Sequence, residues 1–118
     1  MATSKSTSPI RVRLIFHGGR ALGPGKADML EGIAELGSIA AAGRALSMSY
    51  KRAWQLVDDL NKSFAAPLVR ATKGGGRGGG AELTAEGKQV LKLYRAVERK
   101  TQRHSAIEIK RLQALAGR

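Results

Sequence analysis

Gly37-Ser38-Ile39-Ala40-Ala41-Ala42-Gly43-Arg44-Ala45-Leu46-Ser47-Met48-Ser49-Tyr50-Lys51-Arg52-Ala53-Trp54-Gln55-Leu56-Val57 is the stretch that decides the fold. Ser38 is placed to cap a short helix over roughly Ile39 to Leu46, and Ser49 to cap a second over about Tyr50 to Phe64. The interior of the first is Ala40, Ala41, Ala42 and Ala45, small enough to let two helices cross closely. The second opens with a hydroxyl and two cations. A small-residue helix, a tight turn and a helix of this kind form a helix-turn-helix, whose second helix is suited to a DNA major groove.

Downstream, Ala53, Val57, Leu60 and Phe64 recur at helical spacing and are the expected core stripe. Lys51, Arg52, Gln55, Asp59 and Lys62 take the other side, toward solvent or DNA. Pro67 ends the helix. Leu68 to Thr72 reads as a short strand, Lys73 to Gly80 as a Gly-rich basic loop, and Ala81 to Leu83 as the returning strand. Strand, loop and strand make a wing. A phosphate-binding loop would need Gly-Lys-Ser/Thr leading into a helix, and here the glycines lead into Ala81-Glu82-Leu83. A plain flexible linker is the other reading of that loop.

Upstream, residues 1–9 have the polar composition of a disordered tail. Ile10 to His17 alternates as a half-buried strand, with Ile10, Val12, Leu14 and Phe16 inward. Pro24 and Gly25 introduce a helix with Leu30, Ile33 and Ala34 on its apolar side and Gly37 as its C-cap. Thr84 caps a long C-terminal helix spanning about residues 84–116, with Val90, Leu91, Tyr94 and Val97 inward. Its apolar pattern weakens around Thr101 to Ser105 and resumes at Ile109, Leu112 and Ala116. Such a helix is too long to bury in one small domain, so part of it is expected to meet a second subunit. The predicted class is α+β, mostly α. A winged helix-turn-helix over residues 10–118 carries a two-stranded wing and a long C-terminal dimerisation helix.

Composition narrows the function. The chain of 118 residues carries 21 Lys and Arg against 9 Asp and Glu, a formal net charge of +12 that favours a polyanionic partner. There is no cysteine, so disulfides and thiolate metal sites are excluded. No apolar run nears the ~18 residues of a membrane span. Val12, Leu14, Ile15 and Phe16, broken by Arg13, are too few for a signal-peptide core. A cytoplasmic protein with no membrane association is expected. His17 and His104 lie far apart, and Asp58 and Asp59 diverge on a helix, so no catalytic or metal-binding cluster forms. Neither an enzyme nor a cofactor is expected.

The candidate site is therefore a DNA-contacting one. Lys51 and Arg52 lie in the first turn of the recognition helix, and Arg bidentate to guanine is the commonest specific contact. Gln55 is placed to pair with adenine, and Ser49 and Tyr50 to meet phosphate or a thymine methyl. Arg44, on the preceding helix, suits backbone phosphate. Lys62 suits phosphate contact or plain solvation equally well. Lys73 and Arg77 flank the wing glycines and suit a minor groove. Trp54, beside the core stripe, reads as packing in preference to stacking on sugar or base.

Gly37-Ser38-Ile39 with its alanines, then Met48-Ser49-Tyr50-Lys51-Arg52-Ala53-Trp54, closely resembles the N-terminal domain of ModE-type molybdate-responsive regulators. The similarity runs on through Leu56-Val57-Asp58, Asn61, Pro67-Leu68-Val69, the Gly-rich wing and Leu83-Thr84 with Gly87, covering about residues 25–100. A looser similarity to LysR-type DNA-binding domains supports the same fold. The resemblance implies a winged helix-turn-helix that binds double-stranded operator DNA as a homodimer. It also implies recognition by Ser49, Tyr50, Lys51, Arg52 and Gln55, with wing contacts from Lys73 and Arg77. Full-length proteins of that family carry C-terminal molybdate-binding domains. In a chain ending at Arg118, direct molybdate sensing is not expected; the alternatives are a separate oxyanion-binding protein, an unrecognised site or another signal. The expected function is sequence-specific regulation of molybdenum uptake or molybdenum-enzyme genes. The rival is a non-specific architectural or nucleoid protein.

Overall fold

The computed structural model describes residues 9–72 and 80–117. In chain order these form β1 (Leu14–Ile15), a short 3-10 turn (His17–Gly19), β2 (Ala21–Leu22), α1 (Pro24–Leu36), α2 (Ile39–Ala45), α3 (Tyr50–Ser63), β3 (Val69–Thr72), β4 (Gly80–Leu83), α4 (Ala85–His104) and α5 (Ala106–Ala116). Helices α1, α2 and α3 pack on one another, and the antiparallel pair β3–β4 joins them at one side. The winged helix-turn-helix expected from the sequence is therefore the observed fold.

Local signals set most boundaries. Gly37 adopts the left-handed conformation, φ 70°, and its N–H returns to the Ile33 carbonyl, closing α1. Ser38 accepts a hydrogen bond from the Ala41 amide at 3.1 Å and Ser49 from the Arg52 amide at 3.0 Å, so both expected caps form. Each such cap contributes on the order of 1 kcal/mol. The helices then approach as closely as their side chains allow. A Cβ added at Gly32 would lie 2.9 Å from Ala42 Cβ, and one at Gly43 would lie 2.8 Å from Ala53 Cβ. The core beneath combines Met29, Leu30 and Ile33 of α1, Ala42 of α2, and Ala53, Val57 and Leu60 of α3 with Leu68, Ala81 and Leu83 at the wing base. Leu56 joins it as well, although the spacing argument passed it over, while Phe64 is half-buried just beyond the end of α3. Ala34 is exposed, not inward.

The N-terminal strand is shorter than its alternation suggests. Gly18 and Gly19, φ 77° and 80°, reverse the chain immediately after it. The ladder consequently holds two residue pairs, Leu14 with Leu22 and Ile15 with Ala21. The alternation itself persists, with Ile10, Val12 and Leu14 half-buried and Arg11, Arg13 and Ile15 exposed, and only Phe16 departs from it. Phe16 turns out to the surface, where its ring meets Phe64 edge-on at 5.9 Å.

The wing is anchored by polar side chains. From the last turn of α3, Asn61 Oδ1 accepts from the amides of Leu68 (2.8 Å) and Val69 (3.0 Å), and its Nδ2 donates to the Val69 carbonyl (3.1 Å). Thr84 accepts from the Gly87 amide at 3.0 Å, as a cap should, and donates to the Pro67 carbonyl at 2.8 Å. Gly87 presses so close that an added Cβ would fall 2.1 Å from the Leu68 carbonyl oxygen.

Helix α4 is tied to the body by long-range contacts. Tyr94, fully buried, donates to the Val12 carbonyl at 2.5 Å. Burial, with the nearby Glu98 carboxylate, pushes its hydroxyl up to about 12. Arg95 bonds Asp28 (2.9 Å) and Glu31 (2.8 Å) on α1, and Glu98 (3.0 Å) on its own helix. Burial alone would lower the guanidinium, but these three partners outweigh it and hold it above its ordinary value. The single helix expected over residues 84–116 is in fact two, because the backbone departs from helical geometry at Ser105 (φ −110°, ψ 15°). Beyond the break, Ile107, Leu112 and Leu115 of α5 stand exposed.

Candidate nucleic-acid interface

Helix α3 divides by its own periodicity. Ala53, Leu56, Val57 and Leu60 are buried. Lys51, Gln55, Asp58 and Lys62 recur three to four residues apart and form a ridge along the opposite side. Tyr50 and Trp54 lie on the flank of that ridge facing the wing, and Arg52 lies on the other flank. Every one of these side chains on the ridge and flanks is exposed. The placement follows from the Ser49 cap, which fixes where the helix begins and hence the angle at which Lys51, Arg52 and Gln55 leave it. Ser49 is itself exposed, with its hydroxyl oxygen engaged by the Arg52 amide.

Charge on this face is not uniform. Lys62 Nζ lies 2.9 Å from Asp58 Oδ2, and this hydrogen-bonded pair raises the lysine above its ordinary value. The pair is fully solvated and adds little stability. It does leave Lys62 partly neutralised, whereas Lys51 and Arg52 are in no ion pair among the described residues. Arg44 is exposed in the last turn of α2. On the wing base, Arg70 Nε meets Glu82 Oε2 at 2.6 Å. Lys73 and Arg77, the expected wing contacts, lie outside the described residues.

Two findings correct or extend the sequence reading. Trp54 is not interior packing, since 45% of it is exposed and its ring meets Tyr50 edge-on at 6.1 Å. Asn61 is the residue that joins α3 to the wing. A polar side chain on the last turn of a helix ahead of Pro67, and its place in the ModE-like pattern, are the signs the sequence offers of that role. Among the described residues, no group of three His, Cys, Asp or Glu side chains is arranged to hold a metal ion, and no helix is long and apolar enough to cross a membrane.

The model of the bacterial regulatory helix-turn-helix proteins of the lysR family matches residues 27–88, from α1 through the wing into the first turn of α4. The chain belongs to this LysR-type family. It is a helix-turn-helix DNA-binding domain, and the relatives are regulators and binding proteins, not enzymes. The molybdenum-pterin-binding protein MopB of Rhodobacter capsulatus is 42% identical over 80 residues, covering 68% of this chain and 30% of that protein. The molybdenum transport protein ModE of Azotobacter vinelandii is 39% identical over 88 residues, covering 75% of this chain and 33% of its own length. The DNA-binding transcriptional dual regulator ModE of Escherichia coli K12 is 37% identical over 71 residues, covering 60% and 27%. The LysR-type chain thus carries a ModE-like region and spans about a third of the length of these curated relatives. Among solved structures, a chain of the CbnR_DBD–DNA complex superposes with a TM-score of 0.57 at 24% identity, covering 78% of this chain and 95% of that one, which supports the fold.

Proposed function

We propose that this LysR-type domain reads operator DNA for a transcriptional regulator of molybdenum uptake or molybdenum-enzyme genes. The observation that carries the reading is the outward face of α3, where Lys51, Arg52 and Gln55 leave a capped helix beside exposed Ser49 and Tyr50. The molybdenum assignment draws its support from the identity to ModE and MopB. In this reading Lys51, Arg52 and Gln55 meet base edges, while Arg44, Lys62 and the wing residues Lys73 and Arg77 meet phosphate or the minor groove. The protein acts as a homodimer, supported by the exposed apolar side chains Leu93 of α4 and Ile107, Leu112 and Leu115 of α5. The domain itself needs no cofactor to bind DNA.

Selection of bound duplexes from a random pool, followed by footprinting, tests this. The expected result is a consensus with dyad symmetry and half-sites about 10 bp or a multiple apart. Arg52→Ala should relax the preference at one base position, with a discrimination loss of about 1–3 kcal/mol there. Uniform weakening would make Arg52 a phosphate contact. Binding with no sequence preference would favour the architectural reading that the +12 net charge also permits. Calorimetry with molybdate should show no tight binding to these 118 residues.

A further inference from the structure

Between the flank of α3 and the wing base runs a cavity of about 290 Å³, lined by Tyr50, Trp54 and Asn61 on one side, Arg70 and Thr72 on the other, and Ile39 at its floor. Trp54 and Tyr50 are 45% and 63% exposed, and their rings pack edge-to-face against each other. Two large rings left uncovered on an otherwise polar DNA-facing helix call for an apolar partner. The charged ridge of α3 points elsewhere, and the arginine on the wing wall is already engaged by Glu82. The cavity is therefore poor in free cations and rich in ring surface. A helix in a major groove and a wing over the neighbouring minor groove are separated by one sugar–phosphate strand, whose deoxyribose carbons are apolar.

We propose that this cleft seats the backbone of one DNA strand, with deoxyribose groups resting on Trp54 and Tyr50. The inference rests on the DNA-reading function proposed above and adds a sequence-independent contact to it.

The test uses fluorescein-labelled duplexes, one carrying the selected consensus and one scrambled, read by anisotropy. Trp54→Ala should weaken both by the same factor, about tenfold. The salt dependence should be unchanged, because no phosphate charge is lost. Trp54→Phe should restore affinity to within about threefold, and Tyr50→Ala should cost about threefold on both duplexes. Because the chain has one tryptophan, its emission in the unaltered protein reports the same site and should shift to the blue on either duplex. Unchanged affinity of a folded Trp54→Ala variant, or unshifted emission on bound duplex, overturns the proposal. So does a loss confined to the consensus and reproduced by replacing thymidine with deoxyuridine, which would make Trp54 a thymine-methyl reader. Failure of the unaltered protein to bind any duplex overturns the DNA-reading function as well, so the two failures are distinguishable.

Discussion

The unit of α1, α2, α3, the wing base and the first turn of α4 is held together differently from the rest of α4. That unit is fixed by shape wherever helices meet, with the Asn61 hydrogen bonds added at the wing base. Gly32 faces Ala42, Gly43 faces Ala53, and Gly87 faces the Leu68 carbonyl, each with no room for one more carbon. Beyond its first turn, α4 is tied by polar reach, through Arg95 to Asp28 and Glu31 and through Tyr94 to Val12. Shape holds the backbone beneath the exposed side chains of α3 closely, because close-packed atoms cannot slide. Polar reach tolerates more adjustment but depends on every partner being present, since a buried carboxylate without its cation is costly.

The largest effect expected from this contrast is at Gly87. Gly87→Ala drives a carbon into the Leu68 carbonyl oxygen and should cost about 3 kcal/mol or more, seen as a collapsed urea midpoint. Next comes Arg95→Ala, which strands Asp28, whose side chain is 6% exposed. Breaking a buried pair costs about 3–5 kcal/mol, and the partial exposure of Arg95 brings the expectation down to about 2–3 kcal/mol. Adding Asp28→Leu to an Arg95→Met variant should recover most of the loss. Failure to recover would mean that Arg95 also acts by shape, which breaks the contrast. Asn61→Ala removes three hydrogen bonds at the wing base and should cost about 2 kcal/mol, with proton exchange at the Leu68 and Val69 amides accelerating first.

Tyr94→Phe is the smallest, about 1 kcal/mol at neutral pH from the lost bond to Val12. Its sharper signature lies in alkali. The folded-state value is raised to about 12 from 10.0, so the protonated hydroxyl is favoured in the folded chain. Stability from this group is complete below pH 10 and is lost as pH climbs toward 12. The unaltered protein should lose stability across that window more steeply than the Phe variant.

Local chemistry made much of this legible in advance. Gly37, Ser38, Ser49 and Thr84 mark their boundaries through bonds to residues three or four positions away, which a sequence displays directly. Arg95 and Asp28 are 67 positions apart, and Tyr94 and Val12 are 82 apart, so nothing in the order of residues pairs them. The N-terminal hairpin was invisible for a different reason. Ala21–Leu22 is too short to show alternation, and the length of β1 is set by its partner. On the candidate site, spacing assigned Lys51, Arg52 and Gln55 to an outer face but misjudged Trp54. A residue at the margin of a core stripe is buried or bare according to what lies over it, and here the wing stands off and leaves a cleft.

The grip of Asn61 on the first wing strand has a metrical consequence. One side chain, rooted in the recognition helix, holds three backbone atoms of the neighbouring hairpin, so helix and hairpin move as one caliper with a set jaw. Under the proposed function, a duplex is then judged on two readings at once, its base edges under the helix and the gap to the adjoining groove under the hairpin. Overtwisted or undertwisted DNA carrying the right letters would present those letters at the wrong span.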